Sequence, residues 1–152
     1  VDQPAAASYY VLYRLTQHGY GASATTASHA ELMACTPDGA RVALLRVRSS
    51  GLNGRFELRE LDRRPSGRNV SYAFVDFGTR KGEPEIFILR PPLVLAMLAI
   101  DANWPRDARA FQGMREFREA WHLLGLGPPS SARSDGATST SRVPSGLHRD
   151  RP

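Results

Sequence analysis

Three residues have types and spacing that bear on chemistry with phosphate: Glu31, Arg46 and Arg48. Glu31 opens a short apolar segment running to Cys35. Arg46 and Arg48 close a second segment that starts at Arg41, with Pro37-Asp38-Gly39 between the two. In an extended strand, residues two apart share a face. Ala43, Leu45 and Val47 therefore form an apolar face, while Val42, Leu44, Arg46 and Arg48 change from apolar to cationic along the other. Two same-face arginines lie roughly 7 Å apart, close to the spacing of successive phosphates on one nucleic-acid strand. The planar guanidinium also donates two parallel hydrogen bonds to such a group. A plainer reading stands beside this one: Glu31, next to His29, is a polar residue at a strand start, and the arginines are solvated charges paired with Glu57 or Glu60.

Other reactive side chains are scarce. Lys81 is the only lysine, so chemistry that needs a lysine uses that residue or none. Cys35 is the only cysteine, which excludes an internal disulfide and a cysteine-based zinc site. The formal charge is +5, and it is unevenly spread. Between Ala40 and Val70 eight arginines face only Glu57, Glu60 and Asp62, so this stretch alone carries the equivalent of the whole excess. Arg55, Arg63, Arg64 and Arg68 join Arg46 and Arg48 as candidate contacts to nucleic acid.

The elements that must position these residues can be read coarsely. With 152 residues the chain holds one domain, expected over 1–126. From Gly127 to Pro152 the composition turns to Ser, Pro, Gly and Arg with no aromatic residue, which predicts a disordered basic tail. Pro4 at a first helical position and the run to Gln17 predict a helix, with Tyr9, Leu12 and Tyr13 on one face and Gly19 as its stop. Strands are expected over 20–26, 31–35 and 41–48, with a Pro-Asp-Gly turn joining the last two into a hairpin. The segment 56–61 is ambiguous between strand and helix. Strands follow over 70–77 and 85–89, a helix from Pro92 to about Asn103, and a last helix over 107–124 with Met114, Phe117, Trp121 and Leu124 at helical spacing. This order predicts a mixed α/β domain with a central, mostly antiparallel mixed sheet flanked by helices.

The run Glu31-Leu-Met-Ala-Cys-Thr-Pro-Asp-Gly-Ala-Arg-Val-Ala-Leu-Leu-Arg-Val-Arg48 resembles the core hairpin of the PD-(D/E)XK nuclease superfamily, the restriction-endonuclease-like and Holliday-junction-resolvase-like proteins. His18-Gly19-Tyr20 matches the turn after the family's first helix. Glu31 stands where the family has Asp, Arg46 where it has Glu or Gln, and Arg48 where it has Lys. The resemblance covers roughly residues 5–124 and implies a restriction-endonuclease-like fold, with Glu31, Arg46 and Arg48 at the catalytic positions. In that family carboxylates from adjacent strands hold Mg²⁺ for phosphodiester hydrolysis. Here Arg46 is a permanent cation where an anion is needed, and Arg48 stays protonated and cannot act as a base.

These departures imply a degenerate nuclease fold that binds nucleic acid or phosphate through its arginine-rich hairpin region. It is expected to need no cofactor and no metal, and to take DNA or RNA without sequence preference. Two alternatives stay open. One is a Mg²⁺-dependent endonuclease with carboxylates relocated to Glu57, Asp76 or Glu85. The other is a protein-interaction module with no nucleic-acid role. The longest apolar run, Leu93 to Ile100, is too short to span a membrane, and no signal-like segment stands near Val1, so a cytoplasmic location is expected.

Overall fold

The computed structural model describes residues 3–27, 30–51, 53–63, 70–78 and 82–127. The expected tail over 128–152 lies outside the described residues, as do His29, Arg64, Arg68 and Lys81. The chain builds helix α1 (Gln3–Gln17), strands β1 (Gly21–Ala24), β2 (Leu32–Cys35), β3 (Val42–Ser49), β4 (Val70–Asp76) and β5 (Glu85–Leu89), then helix α2 (Pro91–Ile100). The five strands lie in the order β1-β2-β3-β4-β5. Every neighbouring pair is antiparallel except β3 and β4, which run parallel. The fold is thus mixed α/β with a mostly antiparallel mixed sheet, as the element order predicts. Among the described residues no helix is long and apolar enough to cross a membrane.

The hairpin forms for the reasons visible in its sequence. Gly39 takes a φ of 71°, and its N–H donates to the Thr36 carbonyl at 2.8 Å. The Asp38 carboxylate accepts from the Thr36 hydroxyl and the Ala40 N–H. The resulting register sets Leu32 opposite Leu45 and Cys35 opposite Val42.

Each face of the sheet has its own core. On one face α1 packs over Ala34, Ala43, Leu45, Val47, Ala73 and Val75, joined by Trp121, Leu124 and Leu126. The helix buries Ala7, Val11 and Leu15, whereas Tyr9 and Tyr13 are 72% and 56% exposed. The face that Tyr9 and Tyr13 share is thus the outward one. The sheet beneath is rich in alanine, so the helix approaches closely with its small and branched side chains, and the bulky rings turn outward. The other face is aromatic: Phe56, Tyr72, Phe74, Phe87, Trp104 and Phe111 pack with Leu89 and Val94.

The expected last helix is also corrected. Residues 107–124 form three separate 3₁₀ turns, Ala108–Phe111, Arg115–Phe117 and Trp121–Leu124. Gly113 at φ 81° and Glu119 at φ 47° interrupt any continuous helix. The backbone between them is drawn onto the sheet instead: Arg118 bridges Phe87, and the Glu119 N–H donates to the Ile86 carbonyl at 2.8 Å. The ambiguous segment resolves into a bridge from Phe56 to Ser50 and a 3₁₀ turn over Glu60–Arg63.

Candidate functional site

Strand alternation sends Arg46 and Arg48 to the aromatic face of the sheet, beside Tyr72 and Phe74 in the parallel register. The sequence pattern predicts a solvated strand end for both arginines. They are instead 3% and 5% exposed. A charge is stable there only if it is paired and its hydrogen-bonding groups are met. The partner is Asp62, itself 1% exposed, on the 3₁₀ turn of the crossover between β3 and β4.

The Asp62 carboxylate is fully engaged. Its Oδ2 accepts from Arg48 Nε at 2.7 Å and from the Arg59 backbone N–H at 2.7 Å. Its Oδ1 accepts from Arg48 Nη2 at 2.7 Å and from Arg46 Nη1 at 3.4 Å. Arg48 and Asp62 thus form a two-pronged pair, the strongest geometry open to these side chains. On its other side Arg48 donates through Nη1 to Glu31 Oε1 at 2.5 Å. Glu31 Oε2 accepts from the Val47 N–H, which ties the start of β2 to the end of β3.

Arg46 Nη1 also donates to the Tyr72 hydroxyl at 2.7 Å and to the Leu61 carbonyl at 3.0 Å, and its guanidinium lies 5.6 Å from the Tyr72 ring centre. Burial pushes the Tyr72 hydroxyl above its ordinary range, with the Asp62 charge adding to the effect and Arg46 opposing it. For Arg48, burial favours the neutral form, but the Asp62 and Glu31 contacts outweigh it and hold the group above its usual value. The guanidinium is permanently charged in this setting.

Glu31 and Arg48 therefore touch, and Arg46 joins them through Asp62. Asp62 and Tyr72 are the members that sequence reasoning missed, having looked to Glu57 or Glu60 as counterions. One signal was available: two cations beside bulky aromatic positions need a buried acid, and only three acids lie between Ala40 and Val70.

The arrangement does not fit a magnesium ion. The space between the Glu31 and Asp62 carboxylates is filled by the Arg48 guanidinium, with a second guanidinium against Asp62. Among the described residues no group of three or more His, Cys, Asp or Glu side chains is placed to hold a metal. The carboxylates considered as relocated ligands lie elsewhere. Glu57 is exposed on the rim of a neighbouring cleft. Asp76 and Glu85 face each other across β4 and β5 and line a different cleft with Arg115 and Arg118.

That neighbouring cleft, about 590 Å³, opens beside Arg48 and is lined by Arg55, Asn53, Glu57 and Arg59, with Gln3 and Pro4 from the start of α1. Arg55, Arg59 and Arg63 are all exposed. Arg63 donates to the Ala102 carbonyl and borders a second cleft that shares Glu57 and Leu58 with the first. The Arg59 guanidinium stands 4.0 Å from Glu31.

No family model matches the chain, and no curated protein matches it in sequence. Among solved structures, the chain is similar to the bacterial homing endonuclease I-Ssp6803I, at 16% sequence identity and a TM-score of 0.48, over 87% of this chain and 94% of that one.

Proposed function

We propose that this chain is a catalytically degenerate, restriction-endonuclease-like protein that binds the phosphates of nucleic acid. The observation that carries the reading is the Arg48 guanidinium held between the Glu31 and Asp62 carboxylates, at the hairpin positions where the PD-(D/E)XK pattern has its metal-binding acids and lysine. A protein cation then occupies the role of the metal cation, and hydrolysis is lost.

The arginines divide into two groups. Arg46 and Arg48 are buried, and their bonds to Asp62 are spent on holding the 59–63 turn in place. Arg55, Arg59 and Arg63 stand exposed along the two adjoining clefts and make the contacts to phosphate. Arg64 and Arg68 belong to the same basic stretch. Recognition is sequence-independent, since it reads the backbone charge of DNA or RNA and not base edges.

The test is salt-dependent retention of a duplex by the full chain. Each phosphate neutralised contributes a slope of about −0.9 in log K against log salt. Changing Arg55, Arg59 and Arg63 together to Ala is expected to remove up to about 2.7 from that slope, with the fold intact because all three side chains are exposed. An unchanged slope defeats the assignment of these residues. No salt-dependent retention by the wild type, even at low ionic strength, defeats nucleic-acid binding and favours a protein-interaction module.

The competing reading, an active Mg²⁺-dependent hydrolase, requires Arg48 to leave the space between the Glu31 and Asp62 carboxylates. Plasmid nicking that requires Mg²⁺ and is lost in Glu31→Ala is the outcome that reading demands.

A further inference from the structure

Asp76 and Glu85 are direct partners across β4 and β5, so their side chains share the aromatic face at one end of the sheet. Like charges set opposite each other in a sheet are destabilising. Asp76 is also only 6% exposed, and a buried carboxylate is ordinarily matched by a cation. Among the described residues neither acid has an ion-pair partner.

One oxygen of Asp76 is fixed by the protein. Its Oδ1 accepts from the Gly78 N–H at 2.9 Å and from the hydroxyl of the fully buried Ser50 at 3.4 Å. The Gly78 backbone comes so close that a β-carbon there would lie 3.2 Å from the same oxygen. Oδ2 receives no hydrogen bond from a described residue. Among the described residues the sealed side-chain atoms without a partner belong to Gln3, Trp104 and Trp121. Asp76 Oδ2 is therefore open, on a cleft of about 650 Å³ that Asp76 and Glu85 line together.

The same cleft carries the opposite charge. Arg115 and Arg118 line it from the turn segment beside β5. The bridge from Arg118 to Phe87 puts the Arg118 side chain on the face of Phe87 and Glu85. Both arginines are exposed, and neither guanidinium pairs with a described residue. Phe87 and Phe111, stacked with 4.8 Å between ring centres, supply an apolar floor.

We propose that this cleft binds a free amino acid with an apolar side chain, its ammonium on Asp76 and Glu85 and its carboxylate on Arg115 and Arg118. An ammonium brings three donors, enough for Asp76 Oδ2 and the Glu85 carboxylate. A guanidinium takes a carboxylate through two parallel bonds. A metal cation would find two carboxylates and face two guanidinia, whereas a zwitterion answers both signs at once. The volume lies within the roughly 300–1,000 Å³ of small-molecule sites. The cleft shares no lining residue with the two arginine clefts around Glu57, so the assignment is independent of nucleic-acid binding.

The experiment is calorimetry on the full chain with L-leucine and L-phenylalanine up to about 10 mM. At least one is expected to bind with a dissociation constant of about 1 mM or tighter. The matching amines, 3-methylbutylamine and phenethylamine, lack the carboxylate; the matching acids, 4-methylpentanoate and 3-phenylpropionate, lack the ammonium. Each is expected to bind at least about ten-fold more weakly, since it leaves one charged wall unanswered. Glu85→Gln and Arg118→Gln, at half-buried and exposed positions, are each expected to weaken the amino acid at least about ten-fold with an unchanged melting temperature. Absence of binding by both amino acids overturns the proposal, as does an amine or acid that binds as tightly as its amino acid. Unchanged affinity in both variants overturns it too. Binding of Mg²⁺ that is lost in Glu85→Gln, without amino-acid binding, overturns it in favour of a metal site.

Discussion

Asp62→Ala is expected to lower the stability of the fold by about 3–5 kcal/mol, the cost of leaving a buried charge without its partner. The substitution removes the acceptor for Arg48 Nε and Nη2, for Arg46 Nη1 and for the Arg59 N–H in one step. Glu31 remains beside Arg48, while Arg46 keeps neutral acceptors such as the Tyr72 hydroxyl and the Leu61 carbonyl. Since domains of this size are stable by only about 5–15 kcal/mol, the loss is expected to move the urea midpoint far toward zero.

A companion variant separates lost charge pairing from lost shape. Arg46→Met, Arg48→Met and Asp62→Leu together replace the ionic cluster with apolar groups of similar bulk, and replacements of this kind are often neutral or stabilising by about 1–4 kcal/mol. If Asp62→Ala unfolds at the wild-type urea concentration, another acid serves as the counterion and Asp62 is not what holds the two arginines in place.

The second large effect concerns magnesium. Arg46→Glu with Arg48→Lys gives this hairpin the charge pattern of the PD-(D/E)XK family it resembles in sequence, bringing a new carboxylate at position 46 toward Asp62, with Glu31 across the strand end. Like charges packed together destabilise the protein until a cation enters, so the variant is expected to be less stable than wild type in chelator and to recover on adding Mg²⁺. At a concentration 100 times the dissociation constant, binding to the folded state alone adds about 2.7 kcal/mol. For a domain of this length that corresponds to a melting-temperature rise of roughly 5–10 °C. The wild type, with Arg48 filling the space between the acids, is expected to show no such rise. Micromolar Mg²⁺ affinity in the wild type, measured by calorimetry, would falsify the degenerate-site reading.

The hairpin was legible because its signals are local. Alternation along residues 41–48 is a period-two pattern, and Pro37-Asp38-Gly39 specifies its own turn. The mixed sheet followed from the order of the strands. The burial of Arg46 and Arg48 was not legible, because it depends on a residue 14 to 16 positions away on a turn whose conformation has no clear periodic signal. Counting +5 over the stretch treated Asp62 as one surface charge among many, when its surroundings make it the counterion of two arginines. That changes the expected behaviour of Arg46 and Arg48: substitutions there are expected to act first on stability, and under the proposed phosphate binding the salt slope is expected from the exposed Arg55, Arg59 and Arg63.

The remaining details have the same origin. Tyr9 and Tyr13 lie at helical spacing, but spacing identifies a face without saying which face is inward; the alanines of β2, β3 and β4 decided that. Met114, Phe117, Trp121 and Leu124 also keep helical spacing, yet Gly113 and the attachment of residues 118–119 to β5 break the segment into short turns.

That attachment has a consequence for how the protein avoids its own aggregation. A five-stranded open sheet has two edges, and each offers unpaired backbone groups on which another chain can build. At one edge β1 is only four residues of Gly, Ala and Ser, a poor template. At the other, β5 is Glu-Ile-Phe-Ile-Leu, apolar, β-branched and of the kind that stacks readily. There the backbone of Arg118 and Glu119 acts as a cover strip: Arg118 lies beside Phe87, and the Glu119 N–H takes up the outward carbonyl of Ile86. A chain cut before Arg118 retains the residues of all five strands but loses both this cover and the Trp121, Leu124 and Leu126 packing, and it is the form in which ordered aggregates, read by thioflavin fluorescence, are expected to appear first.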